Sequence, residues 1–145
     1  MTRAPTRMLE FAKGLIALEI TGSRTLELRA SAAFAVCEKL RPQLSTFLGK
    51  VGFSALLSRA LVLAADDAAW LRAVHVDANG SLKGSDEPAA PVGAHERLAG
   101  GTLLLAHLLG LLVTFIGEEL TLRLVREVWP RLPRTLDILA KETRQ

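Results

Sequence analysis

The polar residues most suggestive of chemistry in this sequence are the adjacent carboxylates Glu118 and Glu119, which follow Gly117. Two carboxylates can divide acid and base roles when they converge on one substrate. Neighbouring side chains on a helix point about 100° apart, so this pair does not converge by itself. The pattern favours one carboxylate at a buried edge, paired with an arginine such as Arg59, and one carboxylate in solvent. No catalytic role is expected.

The histidines and the single cysteine do not predict a metal centre or a nucleophile. His75, His95 and His107 have no second ligand at metal-binding spacing, and zinc needs four converging ligands. His107 is expected to be a satisfied polar residue in a helix contact. Cys37 lies among apolar residues, which is typical of a small buried side chain, and a lone cysteine cannot form an intrachain disulfide. We expect no cofactor.

The sequence also lacks the loops that hold phosphate or present a serine nucleophile. Gly100-Gly101 has neither the spacing nor the lysine of a phosphate-binding loop. Ser54, Ser58 and Ser81 have no strand-turn motif or neighbouring base. The sequence therefore predicts a protein that is not an enzyme.

Composition favours helices and limits the partners. Alanine and leucine dominate, aromatic residues make up 5% of the chain, and tyrosine is absent, whereas strands prefer aromatic and β-branched residues. Residues 1–64 hold nine lysines and arginines against four acids. This suits an anionic partner, but no basic run reaches five residues, so nucleic-acid binding is not expected. The N-terminus does not resemble a signal peptide, and we expect a cytoplasmic protein.

The chain is organised around residues 98–129. Residues 98–116 carry no charge and residues 117–128 are amphipathic, so we predict one long helix or two helices end to end. A helix that is apolar all round must be surrounded by its own chain, by a partner or by lipid. The uncharged part is about 28 Å long, close to the roughly 30 Å hydrocarbon core of a bilayer. A membrane protein with one spanning helix at 98–116 is therefore the alternative to a soluble bundle.

A helical wheel divides this stretch into two sides. Small and polar residues such as Gly110 and Thr114 share one side. The opposite side is apolar in its first half and charged in its second, and tryptophan, which is enriched at interfaces, follows it. We predict that this opposite side binds a partner through Leu105, Leu109, Leu112, Ile116, Glu119, Arg123, Arg126 and Trp129.

Shorter helices are predicted before this stretch. The first covers about 5–20 and the second about 25–41, with a buried seam that includes Cys37 and Leu40. Pro42 predicts a break or a bend at Arg41, followed by a short helix that ends near Gly49 or Gly52. Residues 53–65 predict a strongly buried helix with a narrow polar strip of Ser54, Ser58 and Arg59.

Turn-forming residues dominate between 66 and 95. Asp66 or Asp67 is predicted to cap a short helix, and Asn79-Gly80 predicts a small β-hairpin near 74–83. Proline and glycine predict a mobile surface loop over 84–95. After the long stretch, a last helix is predicted to begin near Thr135.

Together these patterns predict a single all-α domain over residues 1–145. It would be a multi-helix bundle around a long hydrophobic helix in the C-terminal third, with one small hairpin. With no reactive constellation in the sequence, we expect a helical protein–protein interaction or oligomerisation module. Its partner would be a second copy or another subunit of a larger bacterial assembly.

Overall fold

The computed structural model describes residues 6–19, 26–78, 80–83 and 93–130, with the backbone alone for 26–31. The predicted all-α bundle with a small hairpin is confirmed. In chain order the elements are α1 (Thr6–Glu19), α2 (Leu26–Leu48), α3 (Lys50–Ala65), a 3₁₀ helix (Ala69–Ala73), β1 (His75–Val76), β2 (Leu82–Lys83), α4 (Ala94–Ile116) and α5 (Glu118–Val128).

Helix α4 is the centre of the bundle, because α1, α2 and α3 all pack on it. Its leucines supply much of the core, and burial of each contributes about 1.5–3 kcal/mol. The fully buried ones are Leu104, Leu105, Leu108, Leu109 and Leu112. The chain itself therefore surrounds most of this apolar helix.

The neighbours of α4 run in alternating directions. Met8 of α1 faces Gly110, and Ile16 of the same helix shares a groove with Leu98, so α1 is antiparallel to α4. On α2, Ala33 lies against Gly101 and Leu48 shares a groove with Ile116, so α2 is parallel to α4. A Cβ at Gly101 would lie 2.8 Å from the Cβ of Ala33. The absence of a side chain at this residue therefore lets the two helices approach closely.

The long stretch after residue 98 forms two helices, which is the second of the predicted alternatives. Gly117 separates them with φ +89° and ψ 160°, a conformation that residues with a Cβ rarely adopt. Its N–H donates to the carbonyl of Val113, and its own carbonyl accepts the N–H and the hydroxyl of Thr121. Hydrogen bonds thus continue across the break while the helical path is interrupted.

The prediction of a separate short helix after Pro42 is wrong, since α2 continues through this proline to Leu48. Pro42 is exposed, so its ring lies at the solvent side of the helix. An interior proline costs about 3 kcal/mol, but Leu40 and Leu44 on either side are fully buried in the core. Packing of these two leucines offsets the cost of the proline.

The predicted hairpin is present, with His75 opposite Lys83 and Val76 opposite Leu82. Its turn is closed by Asp77, whose N–H donates to the Ser81 carbonyl and whose carboxylate accepts the Ser81 N–H. The predicted aspartate cap of the preceding short helix is wrong. That element is a 3₁₀ helix with Ala68 at its N-cap, and Asp66 instead ends α3.

Several predictions fall on residues that the structure does not describe. These are the first five residues, Asn79 of the turn, the part of the predicted loop at 84–92, and the last helix near Thr135. The end of the predicted loop is wrong, because Ala94 and His95 already belong to α4.

Candidate interaction surface

Cys37, the single cysteine of the chain, is buried in the core. Burial raises the pKa of the Cys37 thiol to about 12, with a smaller contribution from the nearby Glu38 carboxylate. A thiol that stays protonated is a poor nucleophile and a poor ligand. Over the described ranges, no three histidine, cysteine or acidic residues are grouped so that they could hold a metal ion.

His107 is buried in the middle of α4, and its Nε2 atom has no hydrogen-bond partner among the described residues. The prediction that His107 is a satisfied polar residue in a helix contact is therefore not fulfilled at Nε2. Burial lowers the pKa of His107, while the carboxylates of Asp67 and Asp66 act in the opposite direction. The neutral imidazole is the form that the core accommodates.

The carboxylate of Glu118 pairs with Arg7, whereas Arg59, the suggested partner, is exposed and lines a groove between α3 and α4. Nη2 of Arg7 lies 3.2 Å from Oε1 of Glu118, which ties the start of α5 to the start of α1. Glu119 is exposed and lies 3.7 Å from Arg123, as the i, i+4 spacing predicted. The two adjacent carboxylates therefore make different contacts and share no site.

Three residues of the predicted interaction side lie inside the bundle. Leu105, Leu109 and Leu112 are at most 1% exposed, because α1, α2 and α3 enclose them. A partner that leaves the fold intact cannot contact these leucines. They are core residues of the chain itself, and this corrects the location of the predicted surface.

The remaining residues of that predicted side are accessible. Glu119, Arg123 and Arg126 are exposed and form, with Glu127, the outer face of α5. Ile116 and Trp129 are half-buried and pack against the core. The inner face of α5 is apolar and buried, so its charged outer face is that of an ordinary surface helix.

A different apolar surface is exposed on α3 and at the end of α4. Val51 and Val62 of α3 are 84% and 61% exposed, and Phe115 of α4 is 68% exposed. We call this surface the α3–α4 face and define it by Val51, Ala55, Ser58 and Val62 of α3 and by Leu111, Phe115 and Ile116 of α4. It contains three of the four large hydrophobic side chains that are most exposed among the described residues; the fourth is Phe47 of α2.

A groove of roughly 540 Å³ runs along this face between the two helices. Its walls are apolar, and Arg59 is the one charged residue among those that line it. The lining residues are Leu48, Gly52, Ala55, Leu56, Arg59, Leu111, Phe115 and Ile116. Such a surface can accept apolar side chains from a partner.

Apart from Ile116, the residues of the α3–α4 face were not predicted, because residues 53–65 were expected to be buried on all but a narrow strip. The available signal was Ser58 and Arg59, which mark the outward direction of α3. Val51, Ala55 and Val62 are in helical register with these residues. Apolar residues at those positions therefore belong to the outside of the helix.

A second groove, of roughly 630 Å³, lies between α1 and the first half of α4. Leu9, Ile16, Leu98 and Leu103 are among its lining residues. The hydroxyl of Thr102, also in the lining, donates to the Leu98 carbonyl within its own helix. This groove therefore offers mainly apolar contact.

One described helix, α4, is long and apolar enough to cross a membrane, and more than half of its most apolar window is buried inside the bundle. Comparison with protein families, curated proteins and solved structures gave no significant match. Function is therefore inferred here from the surface of the chain alone.

Proposed function

We propose that this protein is a non-enzymatic helical interaction module and that a second copy of the chain covers the α3–α4 face. The observation that carries the proposal is the exposure of Val51, Val62 and Phe115 on α3 and α4, two helices that also line a common apolar groove. Large apolar groups that cluster in solvent commonly mark an interaction surface.

A second copy fits this surface because the face combines a groove with a protruding aromatic ring. Phe115 projects beside the groove that Leu111 and Ile116 line. When two identical surfaces meet across a two-fold axis, each copy can offer its ring to the groove of the other. Closed two-fold dimers are also the commonest homo-oligomers of soluble proteins.

The test is the molar mass in solution, measured by light scattering over a concentration series with and without detergent. We expect a dimer that dissociates on dilution. Phe115→Ser should weaken association, but at a dilution at which both proteins are monomeric it should leave the unfolding temperature unchanged, because Phe115 is mostly exposed. Ala17→Ser, an exposed change in the other groove, should leave association unchanged. A monomer at all concentrations, with or without detergent, would contradict the proposal.

The second candidate is a membrane protein in which α4 spans the bilayer. It is favoured by the length and apolar character of this 23-residue helix. The packing of α1, α2 and α3 around α4 favours the first candidate, because a spanning helix would have to exchange these contacts for lipid. Extraction of membranes with alkaline carbonate separates the two candidates, since a spanning protein would stay in the pellet and need detergent.

A further inference from the structure

We draw no further inference here: the strongest candidate, the apolar groove between α1 and α4, carries none, because nothing in the structure shows what covers it and Lys13 at its rim already lies 3.5 Å from the Glu10 carboxylate.

Discussion

The indole ring of Trp70 packs directly on Gly100 of α4: a Cβ atom at Gly100 would lie 2.6 Å from Cζ2 and 2.8 Å from Nε1 of the ring. The same indole meets Phe34 of α2 edge to face, with ring centroids 6.2 Å apart. Trp70 thus joins the 3₁₀ helix to both α2 and α4. The fit depends on the missing side chain at Gly100.

We expect Gly100→Ala to destabilise the fold. A methyl group at this position must displace the indole, and overpacking of this kind costs about 1–3 kcal/mol. Alanine gains about 1 kcal/mol over glycine in a helix, so the net loss is smaller than the overpacking term. Chemical denaturation of the purified chain measures the change in the free energy of unfolding.

Gly110→Ala in the same helix is the matched control for this effect. Its Cβ would meet Met8 at 3.7 Å, an ordinary van der Waals distance. Only the higher helix propensity of alanine then acts. We expect the free energy of unfolding to stay the same or to rise by up to about 1 kcal/mol. Equal effects of the two substitutions would contradict the assigned contact between Trp70 and Gly100.

The burial of His107 predicts that stability depends on pH. Its pKa is lowered in the folded chain below the ordinary value of 6.5, so the unfolded chain binds a proton more readily. The stability that comes from keeping His107 neutral is fully present above pH 6.5. It is lost as the pH falls from 6.5 through the lowered pKa of the folded chain. The unfolding temperature should therefore decline as the pH is lowered from 8 to 5.

His107→Gln removes the titrating group while keeping a polar side chain of similar size. In this variant the part of the decline that belongs to His107 should disappear. An identical decline in both proteins between pH 8 and pH 6 would mean that His107 is not the group responsible.

Leu112→Glu should prevent stable folding, because Leu112 is buried and an unpaired charge in the core costs several kcal/mol. Thr114→Glu places the same side chain two residues away at an exposed position of α4 and should fold normally. Circular dichroism and thermal unfolding of the two variants make the comparison. Normal folding of Leu112→Glu would show that this part of α4 is not enclosed by the bundle.

Pro42→Ala should stabilise α2. The alanine restores a backbone N–H inside the helix and removes the ring, and proline costs about 3 kcal/mol more than alanine in a helix interior. Part of this gain is lost, because proline also restricts the unfolded chain by about 0.4–1 kcal/mol. We expect a net gain of about 1–2 kcal/mol in denaturation experiments. Gln43→Ala, at the next residue, is the control and should change stability by less than about 0.5 kcal/mol.

The helices and the hairpin could be predicted because their signals are local. Gly49 and Gly117 both have positive φ angles and lie at helix ends, where the apolar periodicity also stops. Asn79-Gly80 between short alternating segments indicated the hairpin without any knowledge of its neighbours. The prediction at Pro42 was wrong because the free-energy cost of a proline in the helix is smaller than the stabilisation from packing Leu40 and Leu44. That packing depends on the whole bundle.

The exposed apolar surface could not be predicted with the same success. Leu109 and Phe115 are both large apolar residues of α4, yet one is enclosed by three helices and the other projects into solvent. The wheel gives the direction of each side chain from its own helix. It does not say which directions α1, α2 and α3 will cover, and that depends on long-range packing.

The antiparallel contact between α1 and α4 has a consequence for synthesis of the protein. Met8 faces Gly110, about a hundred residues later in the chain. At roughly 5–20 residues per second, the ribosome needs on the order of 5–20 s to make the intervening segment. During this interval the apolar side of α1 that will meet α4 is without that partner. Contact with α2, or with a chaperone, is what can cover this side of α1 until α4 has been made.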